Sequence, residues 1–393
     1  MKVFMINSVC GIRSTGRICT DLAQQLKAAG HDCRIAYGRE SVPEQYESFA
    51  VRVGSEIGVR LHGLQARVFD NAGMASKAAT RKLVARIRDY DPDIVHLHNI
   101  HGYYLDVELL FDCLKKLKKP VIWTLHDCWS FTGHCAHFGM AGCDRWKTGC
   151  HHCPKKGSYP ASMVLDRSRA NYARKKAAFT GVEDLTLVAP CHWLGDLTRE
   201  SFLKDYPVAV IYNGIDLSVF TPTESDFRAR YGLENRKIVM GAASAWDDSK
   251  GLSDMVRLAG ELGEDYAVVI VGVTEKQKQL LPDTVIAITR TESPRELAEI
   301  YTAADVFANP TYEDNYPTVN LEAQACGTPV ITYRTGGSVE SVPEDCVVPQ
   351  GDIAALAQKI REGGYACRTD LDFGREAMLE AYMDLYRKGI RTT

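Results

Sequence analysis

The sequence predicts an α/β protein built as two doubly wound domains in line. Three observations point there. The chain has 393 residues, enough for two or three domains. Short apolar runs alternate with amphipathic stretches of helical period, the pattern of βαβ units and a parallel sheet. That alternation pauses at the turn dipeptide Asn213-Gly214 and then restarts.

In the first half, a strand at about 2–7 runs into a turn with Gly11 and Gly16 and a helix at about 17–29. Strands are expected near 33–37, 94–97, 121–125, 186–189 and 208–211. Helices fall between them at about 57–88 (broken at Gly73), 105–117, 165–179 and 193–200. In the second half, strands at about 237–242, 267–271, 284–288, 305–309 and 329–332 alternate with helices at 250–262, 293–303, 318–326 and 351–362. A last helix covers about 373–389. Ligands of such domains bind in loops at the carboxyl ends of the strands, and a cleft between two domains is the expected site.

Composition excludes several classes. Apolar residues are 45% and charged residues 25%, which is neither a disordered chain, a collagen nor a coiled coil. The longest apolar runs, such as 267–273, have buried-strand length, too short to span a bilayer. The opening KVFMIN reads as a strand rather than a secretory leader, so a cytoplasmic location is expected. Net charge is −3 but uneven: residues 1–190 carry 27 Lys and Arg against 18 Asp and Glu, residues 191–393 carry 20 against 32. The basic half suits phosphate ligands or an anionic membrane and is too diffuse for nucleic acid. Thirteen cysteines, an odd number, argue against a disulfide scaffold.

The most informative stretch is PTYEDNYPTVNLEAQACGTP, residues 310–329. Pro317 suits the first turn of the coming helix. Thr318, Val319 and Asn320 would then present free backbone N–H groups, an anion site. Asp314 lies in the loop and Glu322 in the helix, so both acids can border one pocket. By spacing alone they also read as an acidic loop and an ordinary helix glutamate. Lys250 and Gly251 open another helix, where a lysine can reach a diphosphate as a point charge or simply be solvated. His126 follows a strand, and Asp127 beside it can fix the ring. Gly11 and Gly16 flank a loop but do not form the G-x-G-x-x-G dinucleotide fingerprint. Asp91-Pro92-Asp93 reads as a strand-entry turn.

Cys135, Cys143, Cys150 and Cys153 lie in a loop-rich insert at about 134–157. The Cys-x2-Cys ending fits a structural zinc site, and free thiols or two disulfides are the alternatives. Basic residues cluster nearby, including Arg60, Arg67, Lys77, Arg81, Lys155, Lys156, Arg167, Arg174 and Lys175. They read either as solvated helix faces or as a membrane-docking surface.

The 310–329 segment resembles the acid-x7-acid signature of retaining glycosyltransferases of family 4, which have the two-Rossmann GT-B fold. The run QACGTPVITYRTGG, the Thr124-x-His126-Asp127 element and the Asn213-Gly214-Ile215-Asp216 turn are similar too. Residues 126–176 closely resemble bacterial exopolysaccharide and colanic-acid-type members. The first acid is usually Glu in that family, whereas here it is Asp314 after Glu313, and the arginine that usually precedes the Lys-Gly pair is missing.

The resemblance implies an acceptor-side domain at 1–197, a nucleotide-sugar domain at 198–372, and a last helix, 373–393, packing back on the first domain. Glu322 would bind the ribose and Asp314 approach the donor sugar. The backbone across Asn315, Tyr316, Pro317, Thr318 and Val319 would line the sugar and phosphates, with its amide N–H groups as donors. Lys250, alone or with Arg17, would hold the leaving diphosphate, the Gly11–Gly16 loop would close over it, and His126 would contact the sugar. The implied reaction moves a sugar with retention from a nucleotide sugar, UDP in preference to GDP, to a saccharide or lipid-linked acceptor at the inner membrane face, with no catalytic metal or other cofactor. The alternatives are a nucleotide-sugar epimerase of the same fold, a non-catalytic sugar-nucleotide or saccharide-binding protein, and a zinc-dependent module.

Overall fold

The computed structural model describes residues 1–391. The chain forms two compact units: residues 1–211 with the C-terminal stretch from Leu379, and residues 212–378.

The first unit is a seven-stranded parallel sheet: β1 (Lys2–Ile6), β2 (Asp32–Tyr37), β3 (Ala50–Arg52), β4 (Ile94–Leu97), β5 (Val121–Thr124), β6 (Leu185–Ala189) and β7 (Val208–Val210). Their order is β3-β2-β1-β4-β5-β6-β7. Val3 of β1 lies opposite Cys33 on one side and Ile94 on the other. Every residue of β4 and β5 is buried, as expected of strands covered on both faces. Strand order reverses between β1 and β4, so the loops after β1, β4 and β5 gather at the carboxyl edge where such sheets bind ligands.

Two expectations change here, and one holds. β3, three residues long, is too short to show a pattern in sequence. The 57–88 stretch is two helices, Glu56–Phe69 and Lys77–Tyr90, with the expected break around Gly73. Asp70 ends the first in the left-handed region, and Gly73 (φ +77°) follows, where a Cβ would stand 2.8 Å from Trp129. Finally, β7 pairs with β6, which moves the boundary from the expected 197/198 to 211/212.

Asp91-Pro92-Asp93 is structural. Asp93 accepts the Lys2 N–H at 2.7 Å, and its own N–H reaches Lys2 O at 2.9 Å, which pins the amino end of the sheet. Residues from Leu379 in the helix Arg375–Arg391 close the unit. Tyr386 is fully buried and its hydroxyl shares a 2.7 Å hydrogen bond with Nδ1 of His96 on β4. Tyr382 meets Thr124 Oγ1 of β5 at 2.9 Å, and Thr124 also meets His96 Nε2 at 2.9 Å.

The second unit is a six-stranded parallel sheet of β8 (Lys237–Ala242), β9 (Tyr266–Val271), β10 (Val285–Ile288), β11 (Val306–Asn309), β12 (Val330–Tyr333) and β13 (Val347–Val348). The order is β10-β9-β8-β11-β12-β13, which reverses between β8 and β11. Alternate residues feed two core layers. Met240 packs with Val269, Tyr301 and Phe307, whereas Val239 packs with Met255, Ile270 and Tyr333. The short helices Phe227–Tyr231 and Glu275–Leu280 add to the elements expected from the sequence. No helix among the described residues is long and apolar enough to cross a membrane.

Candidate active site

In the second unit, the loops after β8 and β11 meet. Gly251 has φ +74°, and a Cβ there would stand 2.1 Å from Pro310 O. Only glycine permits that approach. It brings the turn Asp248–Lys250 against residues 311–314: Ser249 O accepts from Tyr312 N at 2.7 Å and from Thr311 Oγ1 at 3.1 Å. Lys250 Nζ then donates to Glu313 O at 3.1 Å and pairs with Asp314 Oδ2 at 2.5 Å. Both side chains remain partly open to solvent, at 32% and 21%.

The helix Thr318–Ala325 starts beside this pair. Pro317 takes the N-cap position with extended ψ rather than the expected first turn, and no side chain caps the helix. The Asn320 N–H donates to Pro317 O at 3.2 Å, so the expected three free amides reduce to those of Thr318 and Val319. The Asn320 side chain anchors the helix from below: it accepts from Asn309 Nδ2 at 2.8 Å and donates to Ser341 Oγ at 2.9 Å. Glu322 is half-buried and accepts a 3.1 Å hydrogen bond from the fully buried Tyr301 hydroxyl. Burial and the Glu322 carboxylate together push the Tyr301 phenol far above its usual range. Tyr316 is buried and packs its ring 4.9 Å from that of Tyr212, and Asn315 is buried beside it.

In the first unit, His126 follows β5 and His98 follows β4. Their rings stack at 5.3 Å, with His98 Nδ1 3.0 Å from His126 Nε2. Burial lowers the His126 pKa to about 4 and pushes that of His98 well below the usual imidazole range, so both rings are neutral at pH 7. The sequence reading has Asp127 orient His126. The structure instead pairs Asp127 with His101, Nε2 to Oδ2 at 2.8 Å, and has it accept the Trp129 N–H at 2.8 Å. Burial raises the Asp127 pKa, but His101, His137 and the Trp129 amide outweigh it and leave it at about 2. His101 Nδ1 lies 3.0 Å from the Tyr159 hydroxyl. Sequence reasoning missed His98 and His101. Their signal was position, since both closely follow a fully buried strand at the sheet's carboxyl edge.

Gly16 belongs to the helix Arg13–Ala28, one turn earlier than expected, and its carbonyl accepts the Gly11 N–H at 3.1 Å. A Cβ on Gly11 would meet the Tyr46 ring at 2.4 Å, so the fold itself requires that glycine. Arg17 is exposed on the same helix.

Cys135, Cys143, Cys150 and Cys153 border one cavity of about 10 Å³, room for a single water-sized occupant. Gly133 N–H donates to Cys150 Sγ at 3.1 Å. All thirteen cysteines carry free thiols. Among the described residues, no three His, Cys, Asp or Glu side chains form a group that could hold a metal ion in this arrangement. The insert packs instead on Phe131, Phe138 and Trp146. Lys175, expected among solvated basic residues, is 1% exposed. Its Nζ lies 3.4 Å from the centre of the Trp129 ring and donates to the carbonyls of Trp129 (2.7 Å) and Thr132 (3.1 Å). Burial lowers its pKa to about 7. Arg174 is likewise committed, bidentate to Glu108 at 2.7 Å.

Two doubly wound sheets, each with charged or histidine-bearing loops at its carboxyl edge, have the GT-B architecture of glycosyltransferases. Residues 15–219 match Glycosyltransferase Family 4, and residues 223–363 match Glycosyl transferases group 1, so the chain belongs to glycosyltransferase family 4 and is a glycosyltransferase. It is 27% identical over 412 aligned positions to "Putative colanic acid biosynthesis glycosyl transferase WcaC" of Escherichia coli K12, covering 98% of this chain and 100% of that one. It is 31% identical over 143 positions to a D-inositol 3-phosphate glycosyltransferase of Mycobacterium sp. strain JLS, covering 33% of this chain and 32% of the relative. The fold is similar to sucrose-phosphate synthase from Thermosynechococcus elongatus (TM-score 0.69, 18% identity, all of both chains). It is also similar to Anabaena HepE solved with UDP (TM-score 0.63, 14% identity, 100% and 98% of the two chains).

Proposed function

We propose that this glycosyltransferase moves a sugar from a nucleoside diphosphate, UDP in preference to GDP, to a saccharide or lipid-linked saccharide during bacterial surface-polysaccharide assembly. The anomeric configuration is retained, and the enzyme works at the inner face of the membrane. One observation carries the donor assignment: the Lys250–Asp314 pair at the carboxyl edge of one sheet lies just before the uncapped N-terminus of the helix that carries Glu322. That set offers a cation and two amides to a diphosphate, and a carboxylate to sugar or ribose hydroxyls. The full-length likeness to a colanic acid biosynthesis protein supports the polysaccharide setting, and the fold shared with HepE, solved with UDP and with UDP-glucose, supports the donor class.

The chemistry follows from charge. Breaking the glycosyl–phosphate bond builds positive charge on the sugar and negative charge on the departing diphosphate. Lys250 and the Thr318 and Val319 amides stabilise the leaving group. The acceptor oxygen bonds the anomeric carbon on the face the diphosphate leaves, and its proton passes to a phosphate oxygen. His126, neutral beside His98, serves the transfer step as a hydrogen-bonding group rather than as an acid. The four insert cysteines are proposed as structural zinc ligands, which requires their side chains to turn into the shared cavity.

The test is incubation with a panel of UDP- and GDP-sugars, following stabilisation and nucleotide release with and without saccharide acceptors. Acceptor-dependent release from one donor supports transfer. Release of nucleotide with an altered free sugar and no acceptor requirement would support an epimerase. Binding without turnover on any acceptor would support a binding protein.

A further inference from the structure

The helix Glu56–Phe69 has its apolar stripe turned outward. It buries only His62 and Ala66. On the opposite side, Ile57, Leu61 and Leu64 are 70%, 61% and 61% exposed, at the i, i+4, i+7 spacing of one helix face. A surface helix ordinarily turns such a stripe to the core. A second segment extends the patch. Met163 N–H donates to Arg67 O at 2.7 Å and Leu165 N–H to Val68 O at 3.2 Å, which fixes residues 163–165 against the end of this helix. Met163 and Val164 are 78% and 60% exposed. With Leu165 and Phe69, these two segments hold seven of the thirteen large apolar side chains exposed among the described residues. A concentration of that kind marks an interaction surface rather than scatter.

The patch has a cationic rim. Arg60 and Arg67 lie together along one flank of the stripe and are exposed, as are Arg167 and Arg169 beyond the second segment. The nearby Asp166 is already occupied by the Cys153 N–H at 2.7 Å and by Ser168.

We propose that this face docks on an anionic lipid bilayer. The apolar side chains enter the boundary between headgroups and acyl chains, while the arginines meet lipid phosphates. The charge complementarity selects lipid over an uncharged apolar partner. The sequence pointed only to the basic residues; the structure adds the apolar stripe and the segment beside it. The inference rests on the proposed membrane setting and is independent of which sugar nucleotide is used.

The experiment is co-sedimentation of the full chain with phosphatidylcholine vesicles and with mixed phosphatidylcholine–phosphatidylglycerol vesicles, at low and high salt. Binding is expected to the anionic vesicles and to weaken with salt. Leu61→Gln/Leu64→Gln and Met163→Ser/Val164→Ser should each reduce it by about tenfold or more, the loss expected when two buried apolar side chains are removed. All four sites are exposed, so the variants should melt with the parent. No sedimentation with either vesicle, or binding unchanged in both variants, would overturn the proposal. So would concentration-dependent self-association that the Leu61→Gln/Leu64→Gln variant abolishes, since the face would then belong to a second copy of the chain.

Discussion

Lys250 Nζ stands 2.5 Å from Asp314 Oδ2, so two charged groups assigned to one donor already neutralise each other. A diphosphate must therefore compete with a carboxylate for the lysine. Asp314→Asn should tighten UDP binding by about 1 kcal/mol, the worth of a partly exposed pair. Turnover should fall in the same variant if Asp314 also holds the sugar. Lys250→Ala should cut turnover more than donor affinity. Calorimetry with UDP, set beside kcat, separates these effects. Equal UDP affinity in parent and Asp314→Asn would show that the pair does not restrain the lysine.

Tyr301 reaches Glu322 from inside the core, so the carboxylate is held before any ligand arrives. Glu322→Ala should weaken donor binding by roughly 2–4 kcal/mol, the loss of charge-assisted hydrogen bonds to ribose. Tyr301→Phe should cost about 1 kcal/mol of the same affinity, through a less well positioned carboxylate. An unchanged Kd in Glu322→Ala would remove this residue from the ribose.

Four histidines of the first unit, His62, His96, His98 and His126, have pKa values pushed well below 6.5, chiefly by burial. Below about pH 6.5 the unfolded chain takes up protons at these rings, and the folded unit does not until about pH 4 or lower. Their neutral form thus favours folding fully above about pH 6.5 and progressively less on acidification. Each contributes at most about 1.4 kcal/mol per pH unit. The melting temperature of this unit, read through Trp123, Trp129 and Trp146, should fall steadily from about pH 7 to about pH 5. A flat profile would mean that the rings gain protons in place.

Metal analysis of the purified protein should find about one zinc per chain, the stoichiometry of a four-cysteine site. Chelation should then lower the stability of the first unit, as should Cys153→Ser. Metal-free protein that melts unchanged with chelator would leave the insert held by its aromatic packing alone.

Tyr382 and Tyr386 bond to Thr124 and His96 beneath the loops that carry His126 and His98. Tyr382→Phe and Tyr386→Phe should each destabilise the first unit by about 1–2 kcal/mol, because each leaves a buried polar partner short of a hydrogen bond. Urea unfolding measures this directly. A larger loss of kcat than of stability would tie the tyrosines to the histidine geometry as well.

Much of the fold was legible because apolar runs such as KIVMGA, which forms β8, are strand-length and bounded by turns. β3 and the helix Glu275–Leu280 were not, since three or six residues carry too little periodicity. Lys250, Asp314 and Glu322 were legible as separate points, but the pairing of Lys250 with Asp314 depends on Gly251 packing against Pro310, a contact 59 residues apart in sequence, and the bond from Tyr301 to Glu322 joins two helices. His101 was hidden for a similar reason: its partnership with Asp127 joins the loops after β4 and β5. Lys175 misled because sequence shows a side chain's charge and not its burial.

The last helix carries one further consequence, for the order of assembly. The first unit takes two buried side chains, Tyr382 and Tyr386, from residues that follow the whole of the second unit. On the ribosome, synthesis at about 5–20 residues per second separates residue 211 from residue 386 by roughly 10–35 s. Throughout that interval β4 and β5 wait without their hydroxyl partners, while residues 212–378 emerge with a complete sheet of their own. The first unit is therefore completed only after the second, and removing residues 382–391 would spoil the sheet made first rather than the one made second.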